Sequence, residues 1–324
     1  MKIRTVYGPH PSMCFGLSLG IDPILPPKRC IYNCIYCPMG RTISQVSTPS
    51  IIVTPERVKE DLEEFIATNG CIFENIMIWG MGDPLLNYHT PLIAKTVRET
   101  VQEHGCSAKI VVRTTGFHLG EEWVRPLYDF VDEIIIPVDS AGDERKIIND
   151  PIQGYGIYRL ANIIKRIPRF YKKKVAVEIN LLRHNGDGNC SPSLIHEIIS
   201  ILNMMNTKKV YLKTVSRPGS SDSIKPVRGR TFTKIMELLV NNGYNVVTCT
   251  NIKRINVFYA GDTREALLNH LLRKPLSSEE IMLIYGNEGL VEAERMVEAG
   301  YLVKKPWGEK VFFRIKTVID IFSI

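Results

Sequence analysis

The chain has 324 residues, of which 44% are hydrophobic and 23% are charged, and its net charge at neutral pH is +7. This composition is typical of a soluble globular protein, and the length suffices for one large domain and a small one. The sequence argues against a membrane-spanning helix, because it has no run of about 18 apolar residues, and the N-terminal stretch MKIRTVYGPHPSM lacks the apolar core of a signal peptide. We therefore expect a cytoplasmic protein.

Short runs rich in β-branched residues alternate with longer amphipathic runs over the first 250 residues. The predicted strands are GLSLGI (16–21), NIMIW (75–79), KIVVRTT (109–115), DEIIIPVD (132–139), KVAVEINLL (174–182), KVYLKTV (209–215) and NVVTCT (245–250). The predicted helices are TPERVKEDLEEFIATNG (54–70), TPLIAKTVRETVQEHG (90–105), SPSLIHEIISILNMMN (191–206) and GRTFTKIMELLVNNG (229–243). Several of these helices begin at Ser or Thr and end at Gly or Asn, as helix capping favours.

This alternation predicts an α/β fold in which helices cover a parallel sheet. Six or seven strand–helix repeats favour a barrel over a short doubly wound sheet, and we expect a partial, (β/α)6-type TIM-like barrel over residues 1–255. The pattern alone leaves closure of the barrel open. In either arrangement the reactive groups belong at the carboxyl ends of the strands.

A different pattern begins at about residue 262. TREALLNHLLRKP predicts a helix that ends at Pro275, LSSEEIMLIYG a second helix, and GLVEAERMVEAGYL a third helix that stops at Gly300. The following LVKKPWGEKVFFRI predicts two strands joined by a turn. Three helices and a β-hairpin indicate a winged-helix-like domain over residues 262–324. Its nearly neutral charge weakens the case for nucleic-acid binding, so a protein-docking or purely structural role stays open.

Positive charge is concentrated in the second half of the barrel. Residues 158–230 contain 15 Lys and Arg against 4 Asp and Glu, and the segment YRLANIIKRIPRFYKKK contains seven cations and no anion. This distribution predicts an anionic partner, such as RNA or a phosphorylated or carboxylated molecule. A solvated basic face is the alternative.

Three of the eight cysteines lie together in RCIYNCIYCPMGRT, where Cys30, Cys34 and Cys37 have the spacing C-x3-C-x2-C. A structural zinc site requires four ligands, commonly as two separated pairs, and no second pair is evident. Three thiolates can instead hold three corners of a [4Fe–4S] cluster, which leaves the fourth iron open to a ligand that is not protein. The spacing therefore favours a cluster with one open position.

The C-x3-C-x2-C loop, with Tyr36 directly before the last cysteine, closely resembles that of the radical S-adenosylmethionine (radical SAM) enzymes. The resemblance implies that Cys30, Cys34 and Cys37 ligate a [4Fe–4S] cluster and that Tyr36 contacts the cofactor. In that superfamily the open iron binds S-adenosylmethionine. Reductive cleavage, driven by an external electron donor, gives a 5′-deoxyadenosyl radical that abstracts a substrate hydrogen.

A glycine-rich element, IWGMGDPLLN, follows the second predicted strand. It resembles the Gly-Gly-Glu-type element that binds the ammonium group of S-adenosylmethionine in this superfamily, with Asp in place of Glu. The resemblance implies that Gly80, Met81, Gly82 and Asp83 form part of the cofactor site. An ordinary strand–turn–helix glycine motif is the alternative.

Three further stretches narrow the resemblance to one branch. YGPHPSMCFGLSLGIDPI, GRT and SRPGSSDSIKPV are similar to the branch around the tRNA wyosine-forming enzymes, over roughly residues 6–250. Wyosine formation in that family uses a second cluster held by additional N-terminal cysteines. Only Cys14 precedes the triplet here, which argues against a plain wyosine synthase.

Other polar residues belong to the predicted barrel mouth. Asp139 ends a strand where the family places contacts to the ribose, and helix capping is its alternative role. Asn180 and Glu178 lie within a buried strand and need partners, either cofactor hydroxyls or structural hydrogen bonds. Lys213 and Arg217 are candidates for binding an anionic group of the substrate, with a surface role as the alternative.

The remaining five cysteines are dispersed, and we expect them to be inert buried thiols. Cys249, near a strand end, and Cys190, in a mouth loop, are candidates for a hydrogen-atom donor or thiyl site. The motifs are also similar to those of the radical methylases of ribosomal RNA, for which only Cys249 is available as the reactive cysteine.

The sequence thus predicts a radical SAM enzyme that acts on an anionic substrate. RNA is the leading candidate, and a small anionic metabolite or a peptide is the alternative. Two other functions stay open: a nucleic-acid-binding regulator whose cluster senses redox state or iron, and a zinc-stabilised binding protein.

Overall fold

The computed structural model describes residues 2–142, 144–186, 188–249, 257 and 259–316. The larger sheet of this part contains β1 (Val6–Ser12), β2 (Gly16–Ile21), β3 (Asn75–Ile78), β4 (Lys109–Arg113), β5 (Glu133–Pro137), β6 (Val175–His184), β7 (Lys209–Thr214), β8 (Ile224–Pro226) and β9 (Asn245–Thr248). The helices that connect these strands are α1 (Pro55–Asn69), α2 (Thr90–Glu103), α3 (Leu127–Phe130), α4 (Glu144–Ile148), α5 (Ile157–Arg166), α6 (Arg169–Lys172), α7 (Pro192–Met205) and α8 (Gly229–Asn241).

The strands form a curled, half-barrel sheet in the order β1-β2-β3-β4-β5-β6-β7-β9, with β8 paired to β6. Neighbouring strands from β2 to β9 along this path are parallel, whereas β1 is antiparallel to β2 and β8 is antiparallel to β6. Because parallel strands share a direction, their carboxyl ends all lie at one edge of the sheet. The seven predicted strands and four predicted helices are therefore present, and the half-barrel prediction is confirmed.

Apolar side chains on both faces of the sheet explain why its strands are continuous hydrophobic runs. The main core, with members such as Leu19, Ile76 and Val112, packs between the sheet and the helices. A smaller cluster that includes Met77, Val111, Ile135 and Tyr211 fills the concave side. Alternate residues of each strand point to opposite faces of the sheet. Both faces can therefore be apolar only if nearly every residue of the strand is apolar.

Helix capping fixes the ends of the predicted helices. The side chain of Thr54 accepts a hydrogen bond from the backbone N–H of Arg57 at the start of α1, and Ser191 caps α7 in the same way through Leu194. Asn206 ends α7 in the left-handed conformation, with φ of 54°. The capping residues that the sequence indicates therefore mark the ends of these helices in the structure.

The first strand, β1, was not predicted. Its sequence VYGPHPS contains two prolines, which remove backbone donors and weaken a strand pattern. Proline is tolerated in an edge strand, and β1 is the edge of the sheet, with an irregular register between Tyr7 and His10. The strand adds a hairpin in front of the predicted first strand.

The C-terminal part contains α9 (Thr263–Arg273), β10 (Leu276–Ser277), α10 (Ser278–Glu298), β11 (Leu302–Trp307) and β12 (Lys310–Ile315). Its strands form a second sheet in the order β10-β12-β11. Gly286, at φ of 65°, breaks α10 into two helical segments, as the sequence predicted for two separate helices. These elements have their own apolar core, which includes Leu267, Ile284 and Phe313.

Buried ion pairs join the C-terminal part to the barrel. Arg273 Nε lies 2.9 Å from Asp22 Oδ2, and both side chains are completely buried. Arg217, which follows β7, forms two hydrogen bonds to Glu280 at the start of α10. Buried charges require partners of this kind, so the two parts are packed against each other through specific contacts.

Among the described helices, none is both long enough and apolar enough to cross a lipid bilayer.

Candidate functional site

The cysteine loop follows the carboxyl end of β2 and faces a cavity of about 60 Å³. Cys30, Cys34 and Cys37 all line this cavity, and all three are free thiols. Two backbone hydrogen bonds fix the start of the loop: Arg29 N–H donates to the carbonyl of Met81 at 2.9 Å, and Asp83 N–H donates to the carbonyl of Arg29 at 3.0 Å. The structure therefore brings the predicted triplet together at the expected edge of the sheet.

Hydrogen-bond donors surround the three sulfurs. Lys28 Nζ lies 3.1 Å from Cys37 Sγ, Asn149 Nδ2 lies 3.4 Å from Cys34 Sγ, and the backbone N–H of Tyr32 lies 3.4 Å from Cys30 Sγ. Such donors stabilise thiolates, which are the form that binds metals. Lys28 and Asn149 were not predicted; Lys28 could have been found from its position two residues before Cys30, whereas Asn149 is distant in sequence.

Burial opposes ionisation of these thiols. It raises the pKa of Cys30 well above its usual value and that of Cys34 to about 11. Burial by itself would lower the pKa of Lys28, but the neighbouring thiolates raise it. One lysine cannot balance three buried thiolates, so the loop suits a positively charged group in the cavity.

The donor set fits a cluster better than a single ion. In the part of the chain that the structure describes, no three His, Cys, Asp or Glu side chains are placed to hold one metal ion. The three free thiols instead surround a cavity, which suits a larger group with several metal atoms. The zinc alternative would require four ligands that converge on one point.

The glycine-rich turn after β3 packs directly on the cysteine loop. Gly82 lines the cavity and has φ of +139°, and a Cβ atom there would lie 1.6 Å from the carbonyl oxygen of Arg29. A Cβ atom on Gly80 would lie 2.1 Å from the carboxyl carbon of Asp22. Both glycines are therefore required by close packing of this turn, and Gly82 also leaves its backbone exposed to the cavity.

The two other residues of this turn differ in their environment. The side chain of Met81 is buried in the main core. Asp83 lines the cavity, and its carboxylate already accepts hydrogen bonds from the hydroxyls of Thr114 and Thr115 and from Leu85 N–H. The carboxylate is thus held in place by the two threonines that follow β4, and it can contribute at most its remaining lone pairs to a ligand.

Tyr36 connects the cysteine loop to the sheet. Its hydroxyl donates to the carboxylate of Asp139, which also accepts from Asn149 Nδ2 at 2.9 Å and from Asn180 N–H at 2.8 Å. Asp139 is completely buried, burial raises its pKa, and it lines neither of the two cavities. Both of its oxygens have donors, so in this structure it orients Tyr36 and the loop.

A second cavity of about 170 Å³ lies on the concave side of the sheet. It shares the lining residues Tyr36, Pro38, Trp79 and Arg113 with the first cavity, so the two are neighbours with a common wall. A cavity of about this size accommodates a six-membered ring in other proteins. The second cavity is therefore large enough for a small molecule or one end of a larger one.

A buried charge network occupies one wall of the second cavity. Glu178 accepts from Arg113 Nε at 3.1 Å and from Lys213 Nζ at 2.8 Å. Burial alone would raise the pKa of Glu178, but the two cations lower it. Structural hydrogen bonds thus satisfy Glu178, one of the two roles that the sequence left open, and Lys213 is part of the same network.

Two polar residues of this cavity are candidates to contact a ligand. Asn180 Oδ1 is buried without a hydrogen bond among the described residues. Lys274, which follows α9, is 8% exposed and lines the same cavity. A buried polar atom normally has a partner, so Asn180 suits a ligand. Lys274 was not predicted, because only the fold brings it to the barrel.

The comparison with family models decides the classification. Residues 24–189, slightly more than half of the chain, match the model of the Radical SAM superfamily. The matched segment contains the cysteine loop, the glycine-rich turn, Asp139 and Asn180.

The chain belongs to the Radical SAM superfamily. It is therefore a radical SAM enzyme.

Curated relatives cover nearly the full length of this radical SAM enzyme. A UPF0026 protein of Methanocaldococcus jannaschii is 26% identical over 95% of this chain and 94% of its own. A UPF0026 protein of Helicobacter pylori is 23% identical over 95% of this chain and 96% of its own. The GTPase Obg of Brachyspira hyodysenteriae is 24% identical over 93% of this chain, which spans only 43% of that relative.

Solved structures with a similar barrel were also found. Streptococcus suis SuiB bound to S-adenosylmethionine is 12% identical, with a TM-score of 0.48 over 74% of this chain and 51% of SuiB. Native anSMEcpe with bound AdoMet is 14% identical, with a TM-score of 0.49 over 71% of this chain and 63% of anSMEcpe.

The prediction that the dispersed cysteines of this radical SAM enzyme are free thiols is wrong for four of them. Cys14 is bonded to Cys249, and Cys71 is bonded to Cys106. Each pair comes from distant parts of the sequence, so spacing alone gave no sign of it. Cys190 is free, but it lines neither cavity. Cys249 does line the second cavity.

The most basic segment lies away from the site of the radical SAM enzyme. Lys172, Lys173 and Lys174 directly precede β6, at the amino end of a parallel strand. The cysteine loop follows the carboxyl end of β2, at the opposite edge of the same sheet. This segment therefore cannot bind the part of a substrate that lies in the cavities.

Proposed function

We propose that Cys30, Cys34 and Cys37 hold a [4Fe–4S] cluster with one open position and that S-adenosylmethionine binds beside it. One observation carries this proposal: three free cysteines line a cavity that is also lined by Gly82 and Asp83 of the glycine-rich turn. When bound, the cluster and S-adenosylmethionine supply a carbon-centred radical that removes a hydrogen atom from the substrate. An external one-electron donor is required.

The residues of the chain have distinct roles in this proposal. Lys28 and Asn149 donate hydrogen bonds to the cluster thiolates and lower the charge density on the sulfurs. Gly82 offers exposed backbone to the methionyl group, and the unpartnered oxygen of Asn180 accepts a hydrogen bond from a hydroxyl of the ribose. Tyr36, held by its hydrogen bond to a buried carboxylate, fixes the wall between the two cavities.

The test is anaerobic reconstitution with iron and sulfide. Purified protein is incubated with dithionite and S-adenosylmethionine, and 5′-deoxyadenosine and methionine are measured. We expect both products from the wild type and neither from Cys34→Ala. Cys190→Ala is the matched control, because this free cysteine lies outside both cavities. A reconstituted cluster that yields neither product, and whose spectrum does not change on addition of S-adenosylmethionine, would indicate a sensor instead.

The substrate that we propose is an organic anion that carries a carboxylate or a phosphate. The second cavity is lined by four basic side chains and a single carboxylate: Arg113, Lys213, Arg217, Lys274 and Glu178. Burial lowers the pKa of Lys274, so the two arginines and Lys213 carry most of the positive charge. Glu280 pairs with Arg217 from outside the lining, which still leaves the site positively charged. Burying unbalanced positive charge is costly, and an anionic ligand removes that cost.

A small molecule fits these observations better than RNA, the leading candidate from the sequence. The cations that face the cavity are few and enclosed, and the basic segment before β6 is at the other edge of the sheet. The test compares formation of 5′-deoxyadenosine with bulk RNA and with a small-molecule fraction retained by an anion exchanger. Stimulation by RNA alone, with strong salt dependence, would restore the RNA hypothesis.

We further propose that the C-terminal part, residues 262–324, of which residues 317–324 lie outside the described part of the chain, is a winged-helix-like domain with a structural role. Its sheet order β10-β12-β11 and its helix pairs fit that class. The second half of α10 carries Glu288, Glu292, Glu294 and Glu298 against one Arg, which disfavours a nucleic acid. This domain instead places Lys274 in the second cavity.

The branch around the wyosine-forming enzymes remains a proposal as well. Cys14 is the single cysteine before the triplet, and it is bonded to Cys249. A second cluster with N-terminal ligands would need free thiols there. We therefore propose an enzyme of this branch with a different reaction, located in the cytoplasm.

A further inference from the structure

The disulfide between Cys14 and Cys249 is formed by two residues that line the second cavity. Cys14 belongs to the turn between β1 and β2, Cys249 follows β9, and their Cα atoms are 5.0 Å apart although 235 residues separate them. Both residues line the cavity, together with Asn180 and Lys213. The disulfide is therefore in contact with the space that we assign to the substrate.

Cys249 lies close to the reactive edge of the sheet. Its backbone N–H donates to the carbonyl of Leu212 at 3.0 Å, and Lys213, the next residue, is paired with Asn180 in the register of β6 and β7. Lys213 and Asn180 line the same cavity as Cys249. This cavity shares Trp79 with the cavity of the cysteine loop. Cys249 is only 2% exposed, so its sulfur is protected from bulk solvent.

The second disulfide provides a contrast. Cys71 is exposed, follows α1, and is bonded to Cys106, which follows α2. Neither residue lines either of the two cavities described above. In the cytoplasm proposed above, cysteines are kept reduced, and disulfides that do form are usually catalytic or redox-responsive. The pair of Cys14 and the buried Cys249 lines the substrate cavity and fits that class, whereas the pair of Cys71 and Cys106 lies outside both cavities.

We propose that Cys14 and Cys249 form a redox-active pair whose reduced form donates a hydrogen atom to the substrate radical. This proposal rests on the radical chemistry proposed above. Thiol S–H bonds are weaker than most C–H bonds, so transfer from sulfur to a carbon radical is favourable. The pair thereby completes a reaction that hydrogen abstraction begins.

The step balances as follows in atoms and electrons. The S–H bond of Cys249 breaks and a C–H bond of the product forms, which leaves an unpaired electron on the sulfur of Cys249. Cys14 releases its thiol proton to solvent, and its sulfur forms the S–S bond. The surplus electron passes to the oxidised form of the external one-electron carrier. An external dithiol then reduces the disulfide and is itself oxidised to a disulfide.

The geometry explains why two cysteines are needed. A single thiol would be left as a sulfur radical after one transfer, whereas a neighbouring thiol at bonding distance converts that radical into a stable disulfide. Cys249 is the donor in this proposal because it lies at the carboxyl end of β9. Cys14 comes from the turn before β2, so it is the resolving thiol.

The first test uses protein without cluster or cofactor. The apoprotein is equilibrated with mixtures of reduced and oxidised dithiothreitol, free thiols are alkylated, and the labelled peptides are measured by mass spectrometry. We expect Cys14 and Cys249 to be protected together in oxidising mixtures and labelled together in reducing ones. Labelling of both residues in every mixture would overturn the proposal, because the pair would then never form.

The second test follows deuterium from the thiol into 5′-deoxyadenosine in D₂O, with no substrate added. The S–D group of Cys249 is then the nearest weak bond, and we expect singly deuterated 5′-deoxyadenosine from the reduced wild type. Cys249→Ser should lower the deuterated fraction about five-fold or more, because a hydroxyl O–H bond is too strong to be broken. Cys14→Ser should retain the label, which identifies the donor, and Cys71→Ser is the matched control.

A wild-type sample oxidised at the pair before the reaction repeats the test without any substitution that could disturb folding. Its 5′-deoxyadenosine should also lack deuterium, with the state of the pair confirmed by alkylation afterwards. Equal deuterium contents in the wild type and Cys249→Ser would overturn this proposal alone. Absence of 5′-deoxyadenosine from every sample would overturn the proposed radical chemistry and this proposal with it.

Discussion

Replacing Glu280 by glutamine tests how the C-terminal part is held on the barrel. Glu280 is 7% exposed and accepts two hydrogen bonds from Arg217, at 2.9 and 3.3 Å. It also accepts the backbone N–H of Ser277 at 2.9 Å, which completes the capping box of α10. Glutamine keeps the size and the capping acceptor but removes the charge, so Arg217 loses its anionic partner.

The pKa of Glu280 gives the magnitude. Burial by itself would raise this pKa, but Arg217 and Lys274 together lower it from 4.5 to about 2. A pKa lowered by this amount corresponds to about 3 kcal/mol of folding free energy at neutral pH. This value agrees with the cost of breaking a buried ion pair, which is roughly 3–5 kcal/mol. We expect Glu280→Gln to lower the free energy of unfolding by about 3 kcal/mol.

The pH dependence follows from the sign of the shift. The folded-state pKa is below the unfolded one, so the stabilisation is fully present above about pH 4.5 and is lost as pH falls toward 2. By pH 3 about half of the difference between wild type and variant should remain. Urea unfolding followed by circular dichroism at several pH values measures both effects.

Glu279→Gln is the matched control. The Glu279 side chain is 71% exposed, and its partner Lys310 is also at the surface. Exposed pairs contribute about 0–1 kcal/mol, so this variant should unfold almost like the wild type. Similar losses of stability in the two variants, or a Glu280 effect that does not depend on pH below 4.5, would show that the pair of Arg217 and Glu280 does not stabilise the fold.

Three other substitutions test the site. Lys274→Met should raise the free energy of unfolding at pH 7 by about 1 kcal/mol. Because burial lowers the pKa of Lys274, the stability of the wild type should rise as pH rises toward the pKa of lysine in the unfolded chain. Thermal unfolding from pH 7 to 10 should therefore show that the difference in stability between the variant and the wild type becomes smaller. Tyr36→Phe removes the hydroxyl that is hydrogen-bonded to Asp139. It should lower the free energy of unfolding by about 1–2 kcal/mol and lower the iron content after reconstitution. An unchanged melting temperature would contradict the role of Tyr36 in holding the cysteine loop. Gly82→Ala should abolish cluster assembly, because its Cβ would meet the cysteine loop, whereas Gly156→Ala, with open space around it, should assemble normally in the same iron assay.

The fold could be predicted from the sequence wherever the signal is local. Strands from β2 to β9 that are buried on both faces appear as continuous apolar runs, and Ser191 and Asn206 mark the ends of α7. β1 could not be predicted in this way, because its two prolines disguise a strand that depends on pairing with β2. An edge strand is stabilised by its neighbour rather than by its own sequence.

The candidate site was predictable in its position and less so in its details. The cysteine triplet and the glycine-rich turn meet as expected. The orientation of Asp83 toward Thr114 and Thr115 was not predictable, since it depends on the register of β3 and β4. The orientation of Asp139 was not predictable either, because its carboxylate accepts hydrogen bonds from the hydroxyl of Tyr36 and from the backbone N–H of Asn180 in β6.

The sequence by itself determined the alternation of strands and helices and the three adjacent thiols, because periodicity and covalent spacing are properties of neighbouring residues. The tertiary structure alone decided that Cys14 meets Cys249 and that Lys274 enters the barrel. The physical reason is that contacts between distant residues arise from the packing of whole elements, which brings together side chains whose local sequences carry no sign of each other.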